Sequence, residues 1–331
     1  MTTPLVSVVI PTFNRRERLR TTLDGLARQQ HVDGIVEVIV VSDGSTDGTD
    51  ELLASDALPL DVIALSQDNS GPAAARNRGV DAARGDLVLF LDDDVVPTDD
   101  LVAAHLRFHD APGDDLVVIG PMKTPTDFPI SPWVQWEQDM LYKQYDAMNR
   151  GDYGATARQF YTGNASVARR HLEAAGGFDP AFRRAEDVEL AYRLADRGLR
   201  FAFAPDAVVL HFAERSFDAW LRAAYAYGRN DVVFARDRGQ AWLLDAISTE
   251  FHQRHALIRR FARVCLPRPW LGRPASEAVS LLARGTGHLG LDRVSRPALS
   301  AVYNLAYYRG MADELGSADE LLARFAAAGS T

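Results

Sequence analysis

The chain has 331 residues, enough for one large domain or one domain with an appendage. It is 47% hydrophobic and 24% charged, an ordinary balance for a globular protein, and no apolar run approaches the roughly 20 residues that span a bilayer. The formal net charge of −9 argues against a nucleic-acid partner, and the single cysteine, Cys265, excludes an internal disulfide and fits a reducing compartment.

The first residues, Met-Thr-Thr-Pro-Leu-Val-Ser, lack a basic region before an apolar one, so no signal peptide is expected and the expected location is the cytoplasm. Val6-Ser-Val-Val-Ile10 reads as a first buried strand, broken by Pro11-Thr-Phe-Asn14. Thr12 or Asn14 can cap a helix over 16–30, where Leu19, Leu23 and Leu26 recur at helical spacing. A second strand over 36–41 runs into the turn-forming Ser42-Asp-Gly-Ser-Thr-Asp-Gly-Thr49, and Thr46 or Asp47 can cap a helix through Leu53. A third strand over 62–65 and a helix over 73–83 lead to a fourth strand, Leu87-Val-Leu-Phe-Leu91. Four strands separated by helices imply a parallel sheet with right-handed crossovers, whose polar turns converge on one edge.

The fourth strand meets Asp92, Asp93 and Asp94. An unbroken apolar run of that length fits a strand buried on both faces. Three adjacent acids cannot stay buried and ionised without a cation or hydrogen bonds, which places them at the strand's carboxyl end, where open α/β sheets bind ligands. Hard carboxylate oxygens suit Mg²⁺ or Mn²⁺, and those ions suit phosphates. A solvated acidic turn is the plainer alternative.

Ser7-Val-Val-Ile-Pro-Thr-Phe-Asn-Arg15, Val41-Ser-Asp-Gly-Ser-Thr-Asp-Gly48, Asn69-Ser-Gly-Pro-Ala-Ala-Ala-Arg-Asn-Arg-Gly79 and Phe90-Leu-Asp-Asp-Asp94 together resemble the inverting family 2 glycosyltransferases with the GT-A fold. The order and spacing of four motifs make the resemblance specific, where a lone Asp-x-Asp would mean little. It covers about residues 5–212 of the chain. It implies an α/β fold with a Rossmann-like, mixed but mostly parallel central sheet flanked by helices. It also implies a transferase domain over 1–214, with a nucleotide-sugar half to about 120 and an acceptor half beyond it, followed by a helical extension over 215–331.

The same resemblance implies a nucleotide-sugar donor, expected to be UDP-linked, and a glycan, lipid-linked or small-molecule hydroxyl acceptor. It makes Asp94 the first ligand of a Mn²⁺ or Mg²⁺ ion, with Asp92 shaping that site and His211, at the end of Pro205-Asp-Ala-Val-Val-Leu-His211, as a nitrogen ligand that favours Mn²⁺. Asp93 would meet the ribose or a metal-bound water, Pro11 and Thr12 would flank base or ribose, Asp43 would read the base at uracil N3–H, and Arg76 would contact base or phosphate. Phe160-Tyr-Thr-Gly-Asn-Ala-Ser-Val-Ala168 resembles the strand between donor and acceptor, which puts Gly163 and Asn164 on the acceptor side with Glu186. In Ala185-Glu-Asp-Val-Glu-Leu-Ala-Tyr-Arg193 the resemblance makes Asp187 the catalytic base. Acids in a first helical turn also simply suit the helix dipole. Asn69, Gly71 and Asn77 read equally as turn and cap residues.

Between the halves, 121–157 is rich in aromatics (Phe128, Trp133, Trp136, Tyr142, Tyr145, Tyr153) and reads as an acceptor wall or as an ordinary packed helix. Beyond His211 the pattern is helical over 217–229, 239–258, 274–284, 296–309 and 318–328. Arg254, Arg259, Arg260, Arg263, Arg268 and Arg273 lie beside Leu257, Phe261, Val264 and Leu266. That is a helix with a solvated basic face, or a peripheral contact with an anionic membrane or a phosphate-bearing acceptor. Two other functions compete. A sugar nucleotidyltransferase also pairs acids with a metal on a parallel sheet, but Pro11-Thr-Phe-Asn-Arg-Arg16 lacks the glycines of a triphosphate loop. A catalytically inactive nucleotide-sugar-binding module would have little reason to keep every acid. A membrane polysaccharide synthase would add spanning helices and a Gln-x-x-Arg-Trp motif, and neither is present.

Overall fold

A computed structural model describes residues 6–31, 36–55, 57–109 and 115–328. The expectation about a leader falls on 1–5, outside the described residues. The chain divides into two compact units, one made of residues 1–128 and 141–213, the other of 129–140 and 214–331.

The first unit opens with β1 (Val6–Thr12), α1 (Arg16–Leu26), β2 (Val36–Asp43), α2 (Thr49–Leu53), β3 (Val62–Gln67), α3 (Pro72–Ala82) and β4 (Leu87–Leu91). It continues through β5 (Val95–Pro97), α4 (Leu101–His109), β6 (Leu116–Ile119), β7 (Met122–Lys123) and α5 (Pro132–Arg150), whose first turns belong to the second unit. After a 3₁₀ turn at Ala157–Gln159 come β8 (Asn164–Ala168), α6 (Arg169–Ala175), α7 (Glu186–Asp196), β9 (Arg200–Phe203) and β10 (Val209–His211). Seven strands form one sheet in the order β3-β2-β1-β4-β8-β6-β9. The first four are parallel, as their apolar runs and intervening helices predict, while β8 is antiparallel to both β4 and β6. β1 and β4 carry the core: Val8, Val9, Leu89 and Phe90 are inaccessible to solvent.

Two features of this topology position a site. Because β8 runs against β4, Asn164 pairs with Leu91, and Gly163 arrives beside the acids that follow β4. A second, three-stranded sheet in the order β5-β10-β7 pairs His211 with Val95, which sets that histidine next to Asp94. The short strands β5 and β10 have only three residues each, too few to show periodicity, and this second sheet is absent from the sequence reading.

Loop and helix in the first unit are further tied by Asn77. From α3, its Oδ1 accepts from the Phe178 N–H at 2.7 Å and its Nδ2 donates to the Phe178 carbonyl at 2.8 Å. The turn or cap role expected for Asn77 is thus a clamp on a distant strand of backbone. Replacing it with Ala strands both partly buried groups and is expected to cost about 1–3 kcal/mol. Chemical denaturation, with an unchanged slope against denaturant, checks it.

The second unit is helical: α8 (Phe217–Asp237), α9 (Trp242–Gln253), α10 (Ala256–Cys265), α11 (Pro269–His288), α12 (Asp292–Leu315) and α13 (Ala318–Ala328). The single helix expected over 239–258 is broken. The chain leaves helical geometry at Arg254, and His255 caps the next helix by accepting from the Leu257 N–H. α8 and α12 cross at bare backbone: a Cβ on Gly228 would lie 1.9 Å from the Tyr307 carbonyl oxygen, and one on Gly310 2.0 Å from that of Tyr225. The unit has its own core, in which Phe251 and Phe325 stack at 4.2 Å with Tyr308 against both. Trp133 and Trp136 belong to it as packed residues: Trp133 donates to the Arg215 carbonyl at 2.7 Å and Trp136 packs on Trp220 and Tyr303.

Candidate active site

The expected site residues gather at the carboxyl edge of the sheet in two charge clusters. The first follows β4. Thr12, the last residue of β1, donates to Asp93 Oδ2 at 2.7 Å. Arg15 donates to Asp94 and lies 3.6 Å from Asp93 Oδ1. His211 Nε2 stands 3.6 Å from Asp94 Oδ1. Burial pushes the Asp94 carboxyl up, but the His211 hydrogen bond and charge, with Arg15, outweigh it and hold Asp94 at about 2. Burial pushes Asp93 up to about 7, against the pull of Arg15 and Thr12. Neighbouring acids therefore differ: burial dominates at Asp93, whereas the contacts with His211 and Arg15 dominate at Asp94.

The second cluster turns on Arg76 of α3. Its side chain is buried, with Nη2 donating to Asp92 Oδ1 at 2.8 Å and Nη1 to Glu186 Oε1 at 2.7 Å, while its guanidinium lies 5.8 Å from the centre of the Phe178 ring. Asp187, next to Glu186, lies in the same field. Its carboxyl is pushed up to about 7 by burial first and by the Glu186 charge second, against the lowering pull of Arg76 and a hydrogen bond from the Val188 N–H. Ala185, just before the pair, has φ 59° and ψ 24°, a left-handed conformation that costs a non-glycine residue of order 1 kcal/mol. The surrounding packing holds that turn and so fixes where Glu186 and Asp187 point.

Asp43 ends β2 and is buried. It accepts from Gln67 Nε2 at 2.7 Å and from the Ser70 and Gly71 N–H groups at 2.8 Å each, which orders the loop leading into α3. A carboxylate has about four acceptor sites, so one remains for an outside donor. Pro11 is half-buried at the end of β1, paired with Val41. Gly163 is required by close approach, since a Cβ there would lie 2.9 Å from Asp92 Oδ2 and 2.7 Å from the Met122 methyl.

Three of the expected site residues have protein partners in the structure. Asn164, expected on the acceptor side, is held by protein groups. It is fully buried, with Oδ1 2.9 Å from His105 Nε2 and Nδ2 donating to the Ala207 carbonyl at 2.7 Å. His105 is held neutral, its pKa lowered to about 4 by burial despite the Asn164 hydrogen bond, and its other nitrogen meets Ser166 at 2.8 Å. Arg76, expected to contact base or phosphate, gives its two terminal nitrogens to carboxylates. Asp92, expected to help hold a metal, is turned to Arg76. Tyr142 and Tyr145 are likewise packed in the first unit: Tyr145 stacks on Phe203 at 5.4 Å, and Tyr142 accepts from the Thr124 N–H at 2.7 Å. Arg15 has no place in the sequence reading, although it closes the first quoted motif. Nothing in one sequence distinguishes it from the neighbouring Arg16, Arg18 and Arg20.

The sequence model of glycosyl transferase family 2 matches residues 7–174. The chain belongs to glycosyl transferase family 2. An uncharacterized glycosyltransferase, YfnE, of Bacillus subtilis is 31% identical over 252 residues, which cover 62% of this chain and 64% of that protein. The validoxylamine A glucosyltransferase of Streptomyces hygroscopicus subsp. limoneus is 34% identical over 224 residues, covering 59% of this chain and 49% of that one. The chain thus spans about half to two thirds of the length of these two curated relatives. Among solved structures, the mannosyltransferase PcManGT of Pyrobaculum calidifontis, in complex with GDP-Man and Mn²⁺, superposes with a TM-score of 0.62 at 23% identity, over 90% of this chain and 86% of that one. The family 2 chain shares the GT-A architecture: a mostly parallel sheet flanked by helices, with further helices at its C-terminal end.

Proposed function

We propose that this family 2 chain is a glycosyltransferase that moves a sugar from a nucleoside diphosphate, expected to be UDP, to an acceptor hydroxyl in one inverting step with the help of Mn²⁺ or Mg²⁺. The observation that carries this is the meeting, at one sheet edge, of an ionised acid beside a histidine (Asp94 and His211) with a buried acid poised near neutrality (Asp187).

The donor set fits a divalent ion. An oxygen and a nitrogen 3.6 Å apart can both bind one ion at ordinary ligand distances of about 2.0–2.2 Å. Among the described residues no group of three or more His, Cys, Asp or Glu side chains could hold a metal, so diphosphate oxygens and water would complete the shell. Bound there, the ion would neutralise charge developing on the departing diphosphate. The chain's own residues do the rest. Asp43, with its remaining acceptor site, takes an N–H from the base. Thr12 and Asp93 line the ribose side, with Pro11 flanking it. Arg15, already partnered with Asp94, supplies a second positive charge where diphosphate would lie. Asp187 removes the acceptor hydroxyl proton as the new bond to the anomeric carbon forms and the bond to the diphosphate oxygen breaks. Glu186 and the Gly163 backbone border the acceptor.

Donor and acceptor halves then lie within 1–214 and a helical extension over 215–331, with 129–140 packed in the same compact unit as that extension. Isothermal titration calorimetry with UDP and UDP- or GDP-sugars, with and without Mn²⁺, tests the proposal. The expected result is metal-dependent nucleotide affinity that falls about 100-fold in Asp94→Ala, a loss of about 2–3 kcal/mol. Equal affinity with and without metal in the parent chain would remove the metal from the proposal.

A further inference from the structure

In the second unit, charge and exposed apolar surface are concentrated in one stretch. Of the eleven large hydrophobic side chains well exposed among the described residues, eight lie between Leu257 and Val294. Trp270 is 76% exposed, Leu289 75%, Leu257 70% and Leu281 68%. Single exposed hydrophobics are normal on any protein, but eight from three consecutive helices and the turn joining the last two are not scattered. The whole chain has 36 basic and 45 acidic side chains, whereas residues 254–293 contain eight arginines against two acids, Glu277 and Asp292.

Helical spacing puts these features on shared faces. Along α11 the exposed positions Trp270, Pro274, Glu277, Leu281, Gly285 and His288 recur every three or four residues. Exposed Arg273 and Arg284 flank one side of that stripe, and exposed Leu282 and Leu289 the other. Glu277 is one turn from Arg273, where an oppositely charged neighbour offsets it. On α10, exposed Leu257 and Val264 lie one face-repeat apart, with exposed Arg260 and Arg263 beside them. Cys265 and Ala262 fill the buried side. No helix among the described residues is long and apolar enough to cross a membrane.

We infer that α10, α11 and the start of α12 form a docking surface for an anionic lipid bilayer, on which they lie in the interface rather than spanning it. Charge complementarity selects this occupant. A second copy of the chain would set two arginine-rich faces against each other, whereas anionic headgroups pair with guanidinium groups while Trp270, Leu281 and Leu289 enter the acyl boundary. Tryptophan suits that depth because its ring is apolar and its N–H stays hydrated. The inference stands apart from the transferase proposal, since it concerns a surface that holds none of the site residues and its test contains no nucleotide.

Flotation of the full chain with vesicles tests it. Binding is expected to vesicles of phosphatidylcholine mixed with phosphatidylglycerol, with little to phosphatidylcholine alone, and it should weaken at high salt. Each arginine near an anionic surface contributes about fivefold in partitioning, so Arg260→Glu with Arg273→Glu should lower binding by more than about tenfold. Trp270→Ala should lower it by about tenfold. These side chains are exposed, so thermal melts should not change. A further check avoids any folding question: brominated lipids should quench tryptophan emission in the parent chain and much less in Trp270→Phe. Failure to float with anionic vesicles would overturn the inference. So would flotation unaffected by either charge reversal or Trp270→Ala. A concentration-dependent dimer that Trp270→Ala abolishes, without vesicle binding, would assign the surface to a second copy and overturn it as well.

Discussion

Asp187→Asn is expected to lower the rate of sugar transfer by about 10²- to 10⁴-fold while leaving nucleotide-sugar affinity nearly unchanged. The amide keeps the shape and can still accept from the Val188 N–H, but it cannot take a proton. The parent chain should show the same group in its pH profile. Burial and the neighbouring Glu186 raise the Asp187 carboxyl to about 7, with Arg76 opposing them. Below that pH the carboxyl is protonated and is no base; above it the carboxylate is free to act. So kcat/KM should climb about tenfold per pH unit below 7 and level off above it. Asp93, also near 7, lies in the same window, so the two must be separated by mutation. Asp187→Asn should remove the rise together with the activity. A variant that turns over at the parental rate would end the assignment of Asp187 as base.

The first four strands of this fold were legible in the sequence. Leu87–Leu91 matches its expected bounds, and Val6, Val36 and Val62 each open a strand where the apolar runs begin. The strands β1, β2 and β4 are buried on both faces, so hydrophobicity alone marks them, while β3 is a half-exposed edge strand marked by its short apolar run. The edge of the sheet was legible for the same reason: runs of Asp, Ser and Gly cannot continue into a core. What stayed hidden depended on partners far along the chain. Asn164 looks like an exposed polar residue beside Gly163, and only the fold reveals His105 and Ala207 waiting for its amide. His211 was expected as a ligand, yet the three-residue pairing that sets it near Asp94 carries no periodic signal. Arg76 was visible as a charge, but its two carboxylate partners lie 16 and 110 residues away. The break at Arg254 was missed because His255 is not among the usual capping residues.

Arg76 ties Asp92, after β4, to Glu186 at the start of α7, and removing it should show as both instability and altered chemistry. Arg76→Met preserves much of the volume but leaves Glu186 buried without a cation, Asp92 without its partner and Asp187 between them. Breaking a buried pair in this way costs about 3–5 kcal/mol, which for a unit of this size lowers the melting temperature by roughly 10 °C. The sign of its pH dependence follows from the carboxylates. Above pH 7 the Asp187 carboxyl, which burial and Glu186 raise to about 7, is ionised in a pocket that has lost its cation, so the loss relative to the parent is largest; below that pH it takes up a proton and the loss shrinks. Removing Arg76 also removes the pull that lowers Asp187, so the midpoint of the activity profile should move above 7. Arg76→Lys keeps one charge on a single point and cannot hold both carboxylates, so it should fall between the two in stability and midpoint. Melts of the three proteins from pH 5 to 8, read beside their pH–rate profiles, check both effects. A purely structural role would lower stability equally at every pH and leave the midpoint of any residual activity where it was. A joint shift is expected because one guanidinium balances both the fold at this edge and the acid beside it.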